Sequence, residues 1–137
     1  MPARYWILSI VVCALVACEV PQPDMQYDVT VCTPIPSPRA AATGFVIKDN
    51  AYIFGGRDCN NVYLNDLWLY NAQQDTWHSL GNTPLKGRVN ATACVHDGIA
   101  YIGLGFNGDY SNYPSYLMDW WSYDPTTNTW KQLSDYP

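Results

Sequence analysis

The chain has 137 residues, room for one modest domain. It carries 6 Trp, 11 Tyr and 3 Phe while only 14% of its residues are charged, a balance that suits a packed β-rich chain and argues against disorder. The net charge of −5 comes from acidic groups scattered singly, with no Lys/Arg stripe, which leaves nucleic-acid binding without electrostatic support.

Residues 1–17 stand apart from the rest. Arg4 is the only charge before an uncharged, mostly apolar run from Tyr5 to Ala17. As a helix that run would reach roughly 20 Å, short of the roughly 30 Å of a bilayer core. A positive start, an apolar middle and small residues at the end read as a secretory signal. Leu15-Val16-Ala17-Cys18 resembles the lipobox of bacterial lipoproteins. The resemblance implies a lipid-modified Cys18 as the first mature residue, tied to a membrane by acyl chains. Two or three chains hold stably where one is marginal. Glu19 after that Cys, where Asp would favour retention, implies an exported outer-membrane lipoprotein of a bacterial cell envelope. A plain signal peptide with a chance Cys is the alternative.

Residues 18–37 follow as lipidated Cys, tether and possible outer strand. Four prolines (Pro21, Pro23, Pro34, Pro36) mark the tether. Its later part, Tyr27–Cys32 followed by Thr33-Pro34, is similar to Trp77–Gly81 followed by Thr83-Pro84, so residues 27–32 are a candidate closing strand. With Cys13 in the signal and Cys18 lipidated, Cys32, Cys59 and Cys94 remain, an odd number for an oxidising compartment. Cys94, inside an apolar strand, is expected to be a buried core thiol. Cys32 and Cys59 could pair. No spacing matches a zinc motif, and His78 and His96 converge on no other ligand, so no metal or cofactor is expected.

From Arg39 onward the chain repeats itself. Asn50-Ala51-Tyr52-Ile53-Phe54-Gly55-Gly56 matches Ile99-Ala100-Tyr101-Ile102-Gly103-Leu104-Gly105, and Arg39 matches Arg88, all at an offset of 49. Asp66-Leu67-Trp68-Leu69-Tyr70 matches Asp119-Trp120-Trp121-Ser122-Tyr123, and Asp75-Thr76-Trp77 matches Asn128-Thr129-Trp130, at an offset of 53. The second copy therefore carries four extra residues between its second and third strands. Alternation and turn residues divide each copy, 38–86 and 87–137, into four short strands. The first reads as Ala41–Lys48, Ala51–Gly56, Asp66–Tyr70 and Thr76–Leu80. The second reads as Asn90–His96, Ile99–Leu104, Met118–Tyr123 and Thr129–Leu133. Asp49-Asn50 and Asp97-Gly98 are the expected hairpin turns, because these residues take positive φ cheaply.

A period near 50 suits a propeller blade. Both copies resemble the kelch repeat: Arg39 and Arg88 open a first strand, Gly55-Gly56 end a second, and Tyr70 with Trp77, and Tyr123 with Trp130, follow at the family's positions. The resemblance implies an all-β fold of four-stranded antiparallel kelch blades, here a partial β-propeller of two. An eight-stranded sandwich is the other reading. Paired glycines would let neighbouring blades approach closely, and Tyr and Trp would fill the space between sheets. In the second copy Gly103-Leu104-Gly105 replaces Gly-Gly, so its blade contact should be altered locally. Because propellers close with about four to eight blades, the sequence reads as a fragment of a longer product, or as one member of a homo-oligomeric ring.

Loops between strands two and three, and between blades, share one face, and candidate ligand-binding residues sit there. They are Arg57, Asp58, Asn60 and Tyr63 in the first copy, and Arg88, Asn107, Asp109, Tyr110, Tyr113 and Tyr116 in the second. Tyrosine rings cover sugar C–H faces while amides and carboxylates bond hydroxyls. Packing of these tyrosines onto their own blade is the alternative. Arg39 and Arg88 could bind an anion, or could satisfy carbonyls between blades. Kelch-like propellers include copper–tyrosyl oxidases and sialic-acid-processing enzymes, but no residue here carries over the copper ligands or the sialidase aspartate box. The reading is a lipid-anchored binding or scaffold module for a glycan or protein, with no catalytic residue in this chain. The alternative is a part of a sugar-processing envelope enzyme whose catalytic groups lie elsewhere.

Overall fold

The structure is a computed structural model and describes residues 30–108 and 116–135. The candidate signal, Cys18, residues 27–29 of the candidate closing strand, and Asp109, Tyr110 and Tyr113 lie outside the described residues. Among the described residues eight strands form, at the expected places and in the expected order. β1 (Thr43–Ile47), β2 (Asn50–Phe54), β3 (Asp66–Asn71) and β4 (Thr76–Asn82) make one antiparallel sheet in sequence order. β5 (Thr92–His96), β6 (Ile99–Gly103), β7 (Trp120–Asp124) and β8 (Thr129–Gln132) make the second in the same way. The fold is all-β, and each sheet is one blade.

Strand ends differ slightly from the sequence reading. β1 starts at Thr43 and β5 at Thr92, because Ala41 and Asn90 take positive φ (55° and 53°) and turn the chain before the ladder begins. The first hairpin turn is Lys48-Asp49, one residue earlier than Asp49-Asn50, since Ile47 pairs with Asn50. That register sets Phe45 opposite Tyr52 and Thr43 opposite Phe54, so these four side chains share a face. A slip of one residue would turn them to solvent.

That face meets the second blade. Phe45 stacks on Tyr52 with ring centres 5.1 Å apart, Tyr52 meets Tyr123 edge-on at 6.2 Å, and Phe54 meets Trp130 at 6.4 Å. Ile47, Leu67, Leu85, Ala100 and Ile102 complete the buried cluster. Each large apolar side chain buried this way contributes about 1.5–3 kcal/mol. Backbone hydrogen bonds stitch the same seam. Gly56 N–H donates to Arg88 O (2.8 Å), Arg88 N–H to Leu64 O (3.1 Å) and Asn90 N–H to Ala41 O (3.0 Å). The Thr43 hydroxyl donates to Ala91 O (2.8 Å).

Close approach explains Gly55. Its φ is 64°, and a Cβ there would stand 2.7 Å from the Arg88 carbonyl oxygen. Leu104 holds the equivalent place in the second blade at φ 58°. Gly103 is not a blade-contact glycine. It lies under the Trp120 ring of its own sheet, where a Cβ would come within 2.6 Å. Phe54 opposite Leu67 in the first blade thus becomes Gly103 opposite Trp120 in the second, with large and small exchanged across the strands.

Three further expectations change. Cys94 is exposed and not a core thiol. It takes the position of Phe45, on the face of the second sheet that points away from the first. Cys32 and Cys59 are free and exposed, not paired. Residues 30–32 form no strand. Instead, Thr33 meets the first blade. Its N–H and hydroxyl donate to the Asp75 carboxylate at 2.8 and 2.9 Å, and its carbonyl accepts from the Trp77 indole at 2.8 Å.

Candidate functional site

The two repeat arginines decide what the loop face can use. Arg39 donates to both oxygens of Asp66 (2.6 and 2.9 Å), to Gly55 O and to Ser37 O (both 3.0 Å). Arg88 repeats the set on Asp119 (2.7 and 2.8 Å), Leu104 O and Lys86 O (both 3.0 Å). Trp68 and Trp121 donate an indole N–H to the same carboxylates at 2.7 and 2.8 Å. Burial alone would raise the pKa of Asp66 and Asp119. The hydrogen bonds from arginine and tryptophan, with the arginine charge, outweigh it and hold both below the usual carboxylate value. Arg88 is 1% exposed. It therefore leaves the ligand-facing set, and the anion-binding reading of both arginines yields to the structural one. Asp66 and Asp119 were the residues that reading missed. Their signal was present as Asp-x-Trp in both copies.

The loop face keeps a different group. Arg57 bridges backbone to backbone with Ala40 and Tyr63, and Phe106 bridges in the same way with Val89 and Tyr116. Arg57 and Phe106 are repeat equivalents, as are Tyr63 and Tyr116. The result is a row of rings. Tyr63 meets Phe106 edge-on at 6.0 Å, and Phe106 meets Tyr116 at 5.7 Å. Gly108 lets the row form, since a Cβ there would stand 2.3 Å from the Tyr63 ring. Tyr116 is 64% exposed, and Arg57 is exposed beside Tyr63. Next to Tyr116 a cleft of about 410 Å³ is lined by Lys86, Asp119, Trp121 and Asp135 among others.

The remaining loop candidates separate by role. Asp58 is engaged by its own loop, accepting from the Asn60 and Val62 amides at 2.9 and 2.8 Å, so it shapes the turn. Asn60 is exposed and Asn107 half-buried. Phe106 was not anticipated as a site residue. Its alignment with Arg57 hid it, because the repeat keeps backbone position and not side-chain chemistry. Both ends of the loop row are amphipathic tyrosines, with a cation at Arg57 and another at Lys86. That arrangement can cover an apolar sugar face, donate hydroxyl hydrogen bonds and attract a negative group.

At the opposite, hairpin end of the blades a second cleft of about 540 Å³ is lined by Lys48, Asn50, Tyr52, Asp97, Asp124 and neighbouring residues. Among the described residues no three His, Cys, Asp or Glu side chains gather to hold a metal ion.

Comparison with known proteins bears on the whole two-blade unit. The family described as the KLHDC2/KLHL20/DRC7 Kelch-repeats domain matches residues 15–136. Human Kelch domain-containing protein 1 is 35% identical over 106 residues, covering 74% of this chain and 25% of that protein. N-acetylneuraminate epimerase 1 of Escherichia coli O6:H1 is 30% identical over 103 residues, covering 75% of this chain and 27% of that protein. The solved structure of YjhT superposes with a TM-score of 0.66 at 24% identity, covering 79% of this chain and 42% of that one. The chain thus spans about a quarter of the length of these curated relatives.

Proposed function

Because this chain belongs to the kelch-repeat family, we propose that it serves as a binding module whose loop face takes a glycan, held at the bacterial envelope by lipid on Cys18. The observation that carries this reading is the Tyr63–Phe106–Tyr116 row beside the exposed Arg57. Rings supply apolar surface for sugar C–H groups, and Arg57 and Lys86 favour a glycan bearing a carboxylate. No catalytic residue and no cofactor enter this reading. The test is binding of the purified chain to a glycan panel, beside Tyr116→Ala and Arg57→Ala. Loss of acidic-glycan binding in both variants, with the fold intact, supports the site. Undiminished binding in both overturns it, and capture of a protein ligand by the same face would replace the glycan. The anchor is checked separately by metabolic palmitate labelling, which Cys18→Ala should abolish.

A second reading follows from the similarity to N-acetylneuraminate epimerases. In it the two blades are part of a sugar-processing enzyme whose catalytic groups lie outside this chain. Turnover of an acidic sugar by a longer product containing these blades would favour it. Binding without turnover would favour the module.

A further inference from the structure

The seam between the two blades is shut at its loop end and open at its hairpin end. Toward the loops, Leu85 and the backbone hydrogen bonds of Gly56, Arg88 and Asn90 close it. Toward the hairpins it widens into the cleft of about 540 Å³, a volume ordinary for a small-molecule site. The first blade supplies Ile47, Lys48 and Tyr52 to the walls, and the second supplies Asp97, Ile99 and Asp124.

Tyr52 makes this cleft more than a gap between sheets. It is 3% exposed, with its ring held by Phe45 and Tyr123. Yet its hydroxyl has no hydrogen-bond partner among the described residues. No side-chain oxygen among those residues is both shut off from solvent and unpaired, so the Tyr52 hydroxyl keeps an opening, and Tyr52 lines the cleft. The neighbouring Tyr123 hydroxyl, by contrast, is satisfied by Asn128 Oδ1 at 3.1 Å. Burial pushes the Tyr52 phenol above its ordinary pKa, so it stays a donor at neutral pH. A nearly buried donor without a partner is unfavourable, and an acceptor brought into the cleft would relieve it.

The charged groups are divided between the walls. Lys48 forms no ion pair among the described residues. Asp97 meets only the exposed ring of its neighbour His96, at 3.3 Å. Asp124 accepts from the Thr126 amide at 2.8 Å, a bond that holds its carboxyl below the ordinary value and keeps it ionised. One cation thus stands on the first blade and two carboxylates on the second, with Ile47 and Ile99 adding apolar surface to the same cleft.

A dipeptide with free termini answers each feature: an ammonium, a carboxylate, a carbonyl acceptor between them and apolar side chains. We propose that the hairpin-end cleft is a second binding site, separate from the loop row, for a short apolar peptide with both termini free. Its ammonium meets Asp97 and Asp124, its carboxylate meets Lys48, and its peptide carbonyl accepts from the Tyr52 hydroxyl.

The experiment titrates the full chain with leucyl-leucine and follows the Asn50, Gly98 and Thr126 amides by NMR. Saturable shifts are expected, with a Kd on the order of 1 mM at low salt. The N-acetylated and the C-amidated dipeptide should each bind about fivefold more weakly. Free leucine, with both charges and no peptide carbonyl, should also bind more weakly. Tyr52→Phe keeps the ring contacts and should weaken leucyl-leucine about fivefold without lowering the melting temperature. Lys48→Gln should weaken leucyl-leucine and leave its amide unaffected, which assigns the carboxylate to Lys48. Absence of saturable shifts would overturn the site. Equal affinity for the capped peptides would overturn recognition of the termini, equal affinity for leucine would overturn the peptide, and full affinity in Tyr52→Phe would overturn the role of the hydroxyl.

Discussion

Arg88 and Asp119 meet through two parallel hydrogen bonds of 2.7 and 2.8 Å, and the Arg88 side chain has no exposed surface while that of Asp119 keeps 21%. Removing one member of such a pair strands the other. Arg88→Ala is expected to cost about 3–5 kcal/mol in urea unfolding. Arg88→Lys should recover little, because an ammonium cannot reproduce the two-point grip or reach Leu104 O and Lys86 O together. Asp119 is held below its ordinary pKa, so its contribution is present above the unfolded value near 4 and is lost as pH falls through the folded value. Unfolding midpoints measured from pH 6 downward should fall more steeply in the parent than in Asp119→Asn.

Gly55 and Gly81 both have positive φ, 64° and 83°, but only Gly55 faces another blade. Alanine at Gly81 would meet no atom within 4 Å, so Gly81→Ala should cost only the backbone strain, about 1–2 kcal/mol. Gly55→Ala adds a contact of 2.7 Å to a backbone oxygen and should cost clearly more, with the seam between blades loosening. Amide exchange at Gly56, which donates across that seam, separates the two: it should accelerate in Gly55→Ala and stay slow in Gly81→Ala.

Much of this fold was legible because the repeat states each element twice. Tyr70 and Tyr123, Trp77 and Trp130, and the two arginines fall at matched places, and eight strands follow from them. What the sequence hid depends on neighbours. Cys94 lies in an apolar strand, yet it is exposed, because alternation shows that a residue faces a side and not whether anything covers that side. Arg88 read first as a group satisfying carbonyls between blades, with an anion site as the other reading, and its true partner, Asp119, lies 31 residues on. Phe106 was missed because an aromatic residue in a polar loop has no periodic signal. Its role needs Tyr63 and Tyr116 brought to within about 6 Å by two separate bridges.

Trp77 and Trp130 are repeat equivalents with different surroundings. Trp130 packs against Phe54 of the other blade and tilts over Tyr123 at 4.6 Å. Trp77 tilts over Tyr70 at 4.9 Å and gives its indole N–H to Thr33. Trp130→Ala should therefore destabilise by about 3–5 kcal/mol, as large aromatic truncations in a core do. Trp77→Ala should cost less and chiefly release Thr33, seen as faster exchange of the Thr33 amide.

Tyr123 is pushed up to about 12, first by burial and then by Tyr52 and Asp124. Its folded pKa lies above the unfolded value near 10, so its contribution is complete below pH 10 and is lost as pH rises through about 12. Alkaline difference spectra should show exposed tyrosines ionising first, with the Tyr123 phenolate appearing together with loss of β-sheet signal. In Tyr123→Phe the unfolding transition should move to higher pH.

The loop row gives a last separation, between residues that build the site and residues that meet a ligand. Phe106 touches both Tyr63 and Tyr116, so Phe106→Ala removes two ring contacts together, each worth about 0.5–1.5 kcal/mol. It should lower stability by about 1–3 kcal/mol and also weaken glycan binding, because both tyrosines lose their support. Tyr116 is 64% exposed, so Tyr116→Ala should cost only its single ring contact with Phe106, about 0.5–1.5 kcal/mol, while weakening binding. Gly108→Ala forces the Tyr63 ring off its seat at a contact of 2.3 Å and should resemble Phe106→Ala in binding. Calorimetric titration with an acidic oligosaccharide, read beside thermal melts of the same samples, tests all three. Equal binding losses with unequal stability losses would mark Tyr116 as a contact residue and Phe106 as its support. Unchanged binding in Tyr116→Ala would move the ligand off this row.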